Sequence, residues 1–258
     1  MDAALFEYLL RLGDTDLILA QRLGEWVGKG PVLEEDIALT NVGLDLLGQA
    51  RLWLGYAGEV EARVEGKGRS EDELAFLRDG PAFRNLQLVE QPNGDYAATM
   101  ARQLCFDHAH ALLLRELARS RDERVAAVAA KAGKEVRYHV ERSSDWVVRL
   151  GDGTDESHER MQRALDDLWP YTGEMFAGDA IDQALAADGL VPDPAALCDE
   201  WLASVRAVAD EATLTLPSGE WMQGMRGRGG KQGVHTEYLG HLLTEMQFLQ
   251  RAYPGAQW

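Results

Sequence analysis

Three aspartates and one histidine carry the spacing that could do chemistry in this chain. Asp16 and Asp45 are 29 residues apart, as are Asp107 and Val136; Gly48 stands three residues beyond Asp45, and His139 three beyond Val136. In a pair of antiparallel helices, that spacing sets a lone carboxylate on one helix against an i, i+3 pair on the next. A complete set of this kind is Glu plus Glu-x-x-His, twice over. Carboxylates neutralise and bridge two hard iron ions, and neutral imidazoles complete the coordination. Here the six positions read Asp16, Asp45, Gly48, Asp107, Val136 and His139. Gly48 and Val136 offer no donor atom, and each remaining acid is Asp, one methylene shorter than the Glu this geometry uses. The expectation is a vestigial centre with no catalytic residue and no metal. The alternative, an active di-iron monooxygenase, needs ligands from outside these positions.

Each of these residues also has a plainer reading. Inward-facing Asp16, Asp45 and Asp107 can pair with His139 or with arginines such as Arg51 and Arg102, because an unpaired buried carboxylate is costly. A single inward histidine is more often a hydrogen-bonded core residue than a ligand. Glu135 stands four residues before His139, a spacing some zinc motifs use, but it is offset from the apolar stripe and reads as solvated. His108 and His110 fall on opposite faces of one helix and cannot act as a pair.

The elements that must position these residues are helices. Apolar residues recur at helical spacing nearly throughout, punctuated by Gly, Pro, Asn and Asp, and no segment alternates as a strand does. The pattern predicts long helices over 3–28, 34–64, 94–120 and 122–150, and a short one over 71–79 opened by the capping box Ser70-x-x-Glu73. Further helices are predicted over 155–169, 179–188, 194–214 and 234–252, with a loop over 217–233. Four helices of 25 residues or more, each with one wide apolar stripe, bundle to bury those stripes. The connection of some thirty residues between the second and third is the long crossover of the ferritin-like arrangement. The expectation is therefore all-α: a single ferritin-like four-helix bundle domain over 1–258, its core at about 3–150 and a helical C-terminal extension at about 151–258.

Composition limits the partners. The formal charge of −17 and pI near 4.7 exclude a nucleic-acid grip, which needs clustered Lys and Arg, and disfavour anionic membrane surfaces. A net-negative surface also repels a polyphosphate ligand such as a CoA ester. The two cysteines, Cys105 and Cys198, have no metal-ligand spacing and predict no disulfide framework. With no basic leader and no long apolar run, the chain is expected in the cytoplasm. The stretch Arg226-Gly-Arg228-Gly-Gly-Lys231-Gln-Gly is basic and glycine-rich, yet it lacks the first Gly and the Ser/Thr of a phosphate-binding P-loop. It reads as a connector, or as a docking loop through Arg226, Arg228 and Lys231 for an acidic partner.

Several stretches carry a resemblance: RLGDTDLILAQRLGEWVGKGP at 11–31, DIALTNVGLDLLGQAR at 36–51, LVEQPNGDYAATMARQ at 88–103, KEVRYH at 134–139 and GVHTEYLGHLLTEMQFLQRAYPGAQW at 233–258. Together they resemble the C-subunit family of the bacterial phenylacetyl-CoA epoxidase complex. The resemblance implies a ferritin-like, non-catalytic structural subunit. Its homologous partner, the catalytic A-subunit, would carry the di-iron centre that epoxidises the aromatic ring of phenylacetyl-CoA in aerobic phenylacetate breakdown. It further implies a small B-subunit and a reductase that supplies electrons from NADPH through FAD and an iron–sulfur cluster, with no cofactor in this chain. It also suggests that Glu34, Glu35, Asp36 and Ile37, and the segment Gln183, Ala184 and Leu185, lie close to bound CoA ester.

Overall fold

The computed structural model describes residues 1–217 and 229–256. Among these residues it contains nine α-helices and no strand, consistent with an all-α ferritin-like protein. No helix of the described residues is long and apolar enough to cross a membrane. The chain separates into two compact units, the first formed by Met1–Pro92 with Gly224–Trp258 and the second by Asn93–Gln223.

The first unit is built on a helix hairpin. Helix α1 spans Asp2–Gly24 and α2 spans Leu33–Glu65. A Cβ at Gly13 would meet Leu54, while one at Gly43 would meet Leu23 and the Ala20 carbonyl, so the helices run antiparallel with glycines at the close approaches. Helix α1 ends four residues earlier than its periodicity predicts. The Glu25 N–H turns back to Arg22 and Leu23, and Gly28 takes a left-handed φ of 77°, which converts the last expected turn into a loop.

After α2, Gly66 supplies the left-handed cap and the chain doubles back so tightly that a Cβ on Gly58 would overlap the Arg69 carbonyl. Helix α3, Glu71–Phe76, opens with the expected capping box: the Glu73 N–H donates to Ser70 Oγ, and the Ser70 N–H donates to Glu73 Oε2.

The remainder of the crossover is fastened from several sides. The Arg78 guanidinium grips both oxygens of buried Asp14 in α1, and the Arg84 N–H donates to the same carboxylate at 2.8 Å. Helix α9, Glu237–Ala252, packs on α3. Its Gln247 amide donates to the carbonyls of Ala75 and Arg78, and Arg251 reaches the carbonyls of Phe76 and Arg78 and the Asp79 carboxylate.

The second unit holds the hairpin of α4, Tyr96–Leu117, and α5, Glu123–Gly151. Both N-termini are capped by aspartate: Asp95 accepts from the Ala98 N–H, and Asp122 from those of Arg124 and Val125. Helices α6, Asp155–Leu168, and α8, Cys198–Glu211, pack against this pair. The short α7, Ala180–Ala187, lies between them in sequence. The segment expected to be helical over 194–214 begins as a 3-10 turn at Pro194–Leu197, because proline sets the first turn and has no N–H to donate. Between Thr99 and Asp107 every residue of α4 is buried, as befits a helix surrounded by its neighbours.

Candidate functional site

The six template positions divide between the units: Asp16, Asp45 and Gly48 in the first, Asp107, Val136 and His139 in the second. In the first unit the buried stripe of α2 runs Leu39, Val42, Leu46, Gln49/Ala50, Trp53, Ala57 and Val60. Asp45 lies to the side of that stripe, half-buried, and Gly48 is exposed with open space around any side chain added to it. The expected inward pair Asp45-x-x-Gly48 is therefore corrected to Leu46-x-x-Gln49, one position on. The sequence is ambiguous because α2 is apolar on two faces, so periodicity alone does not say which one is inward. Arg51 also faces out, 3.7 Å from Glu71, and is not a partner for an interior acid.

Asp16 on α1 is buried as expected. Burial pushes its carboxyl well above the usual carboxylate range, opposed in part by the indole N–H of Trp53 on α2.

In the second unit Asp107, Val136 and His139 are all buried, as the stripes of α4 and α5 predict. Burial raises the Asp107 carboxyl to about 6, opposed by the nearby His139, a hydrogen bond from Ser143, and Arg142 and Arg102. The Gln103 amide adds a long hydrogen bond of 3.3 Å to Asp107 Oδ1. Arg102 donates to Asn93 Oδ1 at 2.7 Å and Arg142 to the Tyr96 hydroxyl at 2.8 Å, so this interior is laced by side-chain hydrogen bonds. Val136 and His139 share the buried stripe of α5.

Among the described residues, no three His, Cys, Asp or Glu side chains gather as a group able to hold a metal ion. Neither hairpin buries a Glu-x-x-His pair: the buried i, i+3 positions are Leu46 and Gln49 on α2, and Val136 and His139 on α5.

His108 and His110 are separated as expected, but neither is idle. His108 bridges three helices, Nδ1 at 3.0 Å from Ser204 Oγ on α8 and Nε2 at 3.0 Å from Ser144 Oγ on α5. The Ser204 hydroxyl donates to the Trp201 carbonyl, so it accepts from Nδ1–H and leaves Nε2 to accept from Ser144. Burial lowers the imidazole of His108 to about 4 and that of His110, which also feels His139, to about 3.

The residues tied to CoA by resemblance fall as follows. Glu34 and Ile37 are exposed at the start of α2, Glu35 is half-buried, and Asp36 accepts from the Gly30 N–H at 2.9 Å. On α7, Gln183 and Ala184 are exposed and Leu185 is buried. Gln183 lines a cleft of about 420 Å³ with Asp182 and Asp193, two carboxylates that are poor company for phosphate. Of the suggested docking loop, Arg226 and Arg228 lie outside the described residues, and Lys231 is buried in the 3-10 turn Gly230–Gln232.

What sequence reasoning missed is the role of Glu90, which is fully buried. Its carboxylate accepts from Asn85 Nδ2 at 2.9 Å, and from the Thr236 N–H at 2.7 Å and hydroxyl at 2.6 Å; His235 Nδ1 lies at 2.6 Å. Arg22 donates twice to the Glu90 carbonyl. Three of the stretches quoted for the resemblance, around Arg22, Glu90 and His235, thus meet at one residue. The signal available in sequence was an acid in an otherwise apolar run, Leu88-Val89-Glu90, with nothing to say which distant group it serves.

The chain matches the family described as "Phenylacetic acid catabolic protein" along residues 1–258. It is similar to the protein of Escherichia coli (strain K12) named as the C-subunit of 1,2-phenylacetyl-CoA epoxidase, with 52% identity over 251 residues that cover 97% of this chain and 98% of the relative. A match along the whole length, together with a relative this similar, means that the chain belongs to the phenylacetic acid catabolic protein family.

Proposed function

We propose that this chain is a non-catalytic structural subunit of a multicomponent phenylacetyl-CoA epoxidase in phenylacetate catabolism. It pairs with a homologous catalytic subunit that holds the di-iron centre, in the cytoplasm, alongside a small subunit and a reductase. One observation carries the reading: the inward faces of α2 and α5 present Leu46/Gln49 and Val136/His139 where the chemistry calls for Glu-x-x-His twice. The relative's designation as a C-subunit supports the multicomponent setting. A polypeptide whose long helices bury apolar and amide side chains at these positions would work through its surface.

The test is co-expression with the catalytic subunit, followed by native mass measurement and metal analysis. The chain should co-purify with that subunit and carry no stoichiometric iron when purified alone. Iron near two atoms per chain, with oxygenase turnover by this chain alone, would instead identify an active monooxygenase.

A further inference from the structure

Helix α2 is apolar on both sides. One face carries the buried stripe, and on the opposite side a second stripe of Leu33, Ile37, Leu44 and Leu47 faces solvent, with relative exposures of 71%, 52%, 59% and 40%. These residues follow helical spacing along one face, so they form a line roughly 20 Å long at 1.5 Å per residue. Val32, also exposed, precedes it at the N-cap of the helix. Gly48 and Gly55 fall on the same face with no atom near a prospective Cβ, which leaves room for another backbone to approach. A helix apolar all round is normally covered on all sides, and a contiguous exposed apolar stripe marks an interaction surface.

The charge around the stripe selects the occupant. Glu34 and Asp45 edge the stripe on one side and Asp36 on the other, while Glu35 falls on the far side of the helix; the one base, Arg51, follows at the C-terminal end of the stripe and already lies near Glu71. The whole chain carries −17. Two copies of this face would bring like charges together, whereas a helix with an apolar stripe flanked by Lys and Arg would meet both features.

We propose that the Leu33–Ile37–Leu44–Leu47 face of α2 is the docking surface for a basic-flanked amphipathic helix of the catalytic subunit. This rests on the subunit role proposed above and assigns that role to one surface.

The full chain carrying Ile37→Glu and Leu44→Glu is co-expressed with the catalytic subunit and compared with wild type and with Phe248→Glu, a control at an exposed apolar residue of α9. Buried charge at two central contacts should weaken pairing by at least about 100-fold, with helical circular dichroism unchanged and the control pairing like wild type. Hydroxyl-radical footprinting of the wild-type complex needs no variant to fold: Leu33, Ile37, Leu44 and Leu47 should gain protection and Phe248 should not. Added salt should weaken the complex, as expected for complementary flanks.

If wild type pairs but the double variant pairs equally well and the stripe gains no protection, the surface assignment fails and the subunit role stands. If wild type does not pair at all, the subunit role fails and takes this assignment with it. If the stripe instead closes a homodimer that the double variant dissociates, the heterologous occupant is wrong.

Discussion

The Glu90 carboxylate and His235 Nδ1 meet at 2.6 Å across 145 positions of sequence, joining the crossover before α4 to the residue that precedes the cap of α9. His235 Nε2 faces the Phe83 carbonyl at 3.0 Å, so the ring spans two points of the same crossover. Thr236 holds the N-cap position of α9 but turns its hydroxyl to Glu90 instead of to its own helix, and Glu90 takes the Thr236 N–H as well. One buried acid thus fixes where the C-terminal helix begins.

Removing that acid leaves His235, Asn85 and Thr236 buried without their common acceptor. Glu90→Ala should destabilise the chain by about 3–5 kcal/mol, because several buried donors lose their shared acceptor at once, while Thr236→Ala should cost about 1 kcal/mol. Urea unfolding midpoints at constant slope measure both. Equal midpoints for Glu90→Ala and wild type would contradict the clamp.

Asp107 should make stability depend on pH in the direction opposite to its histidine neighbours. Its folded carboxyl is raised to about 6 from 3.8, so the unfolded state releases the proton first and stability falls as pH rises from about 4 to 6, by about 3 kcal/mol in all. His108 and His110, lowered to about 4 and about 3 from 6.5, act the other way, and stability falls as pH drops below 6.5. The two trends offset each other in wild type. Asp107→Asn removes one of them, so it should be more stable than wild type at pH 7.5 and lose stability steeply on acidification. Denaturant titrations at half-unit pH steps check this.

Two glycines of α2 should respond oppositely to alanine. At Gly58 the new Cβ would strike the Arg69 carbonyl, backbone that cannot move without reopening the turn after α2, and the substitution should cost at least about 1–3 kcal/mol. At Gly48 the surroundings are open and the helix gains propensity, so Gly48→Ala should stabilise by about 0.5–1 kcal/mol. Thermal melts of both variants decide it.

Asp45→Glu with Gly48→His writes the missing pair at the positions that spacing alone selects. Because Gly48 is exposed and Asp45 lies beside the buried stripe, this variant should gain no iron over wild type on metal analysis after growth in iron-rich medium. Two bound irons per chain would show that these positions face inward after all.

Helix number and type were legible because each long segment announces itself locally. Ser70-x-x-Glu73, Asp95 and Asp122 mark starts, and Gly66 marks a stop. The inward direction of α5 was legible too: Val125, Val128, Ala132, Val136, His139 and Ser143 form one stripe with a charged face opposite, and all six are buried. Helix α2 defeated the same logic, since Leu44 and Leu47 carry as much apolar character as Leu46, and hydrophobicity is blind to which face finds a neighbour.

The amino-acid sequence by itself determined that this chain is helical and acidic, because caps, periodicity and residue type are local properties that need no partner. Only the tertiary structure decided that Leu46 and Gln49, not Asp45 and Gly48, turn inward, and that Glu90 gathers Asn85, His235 and Thr236. Both depend on which surfaces meet. A one-residue step rotates a helical side chain by 100°, and a contact across 145 residues is set by packing, not by neighbours in the chain.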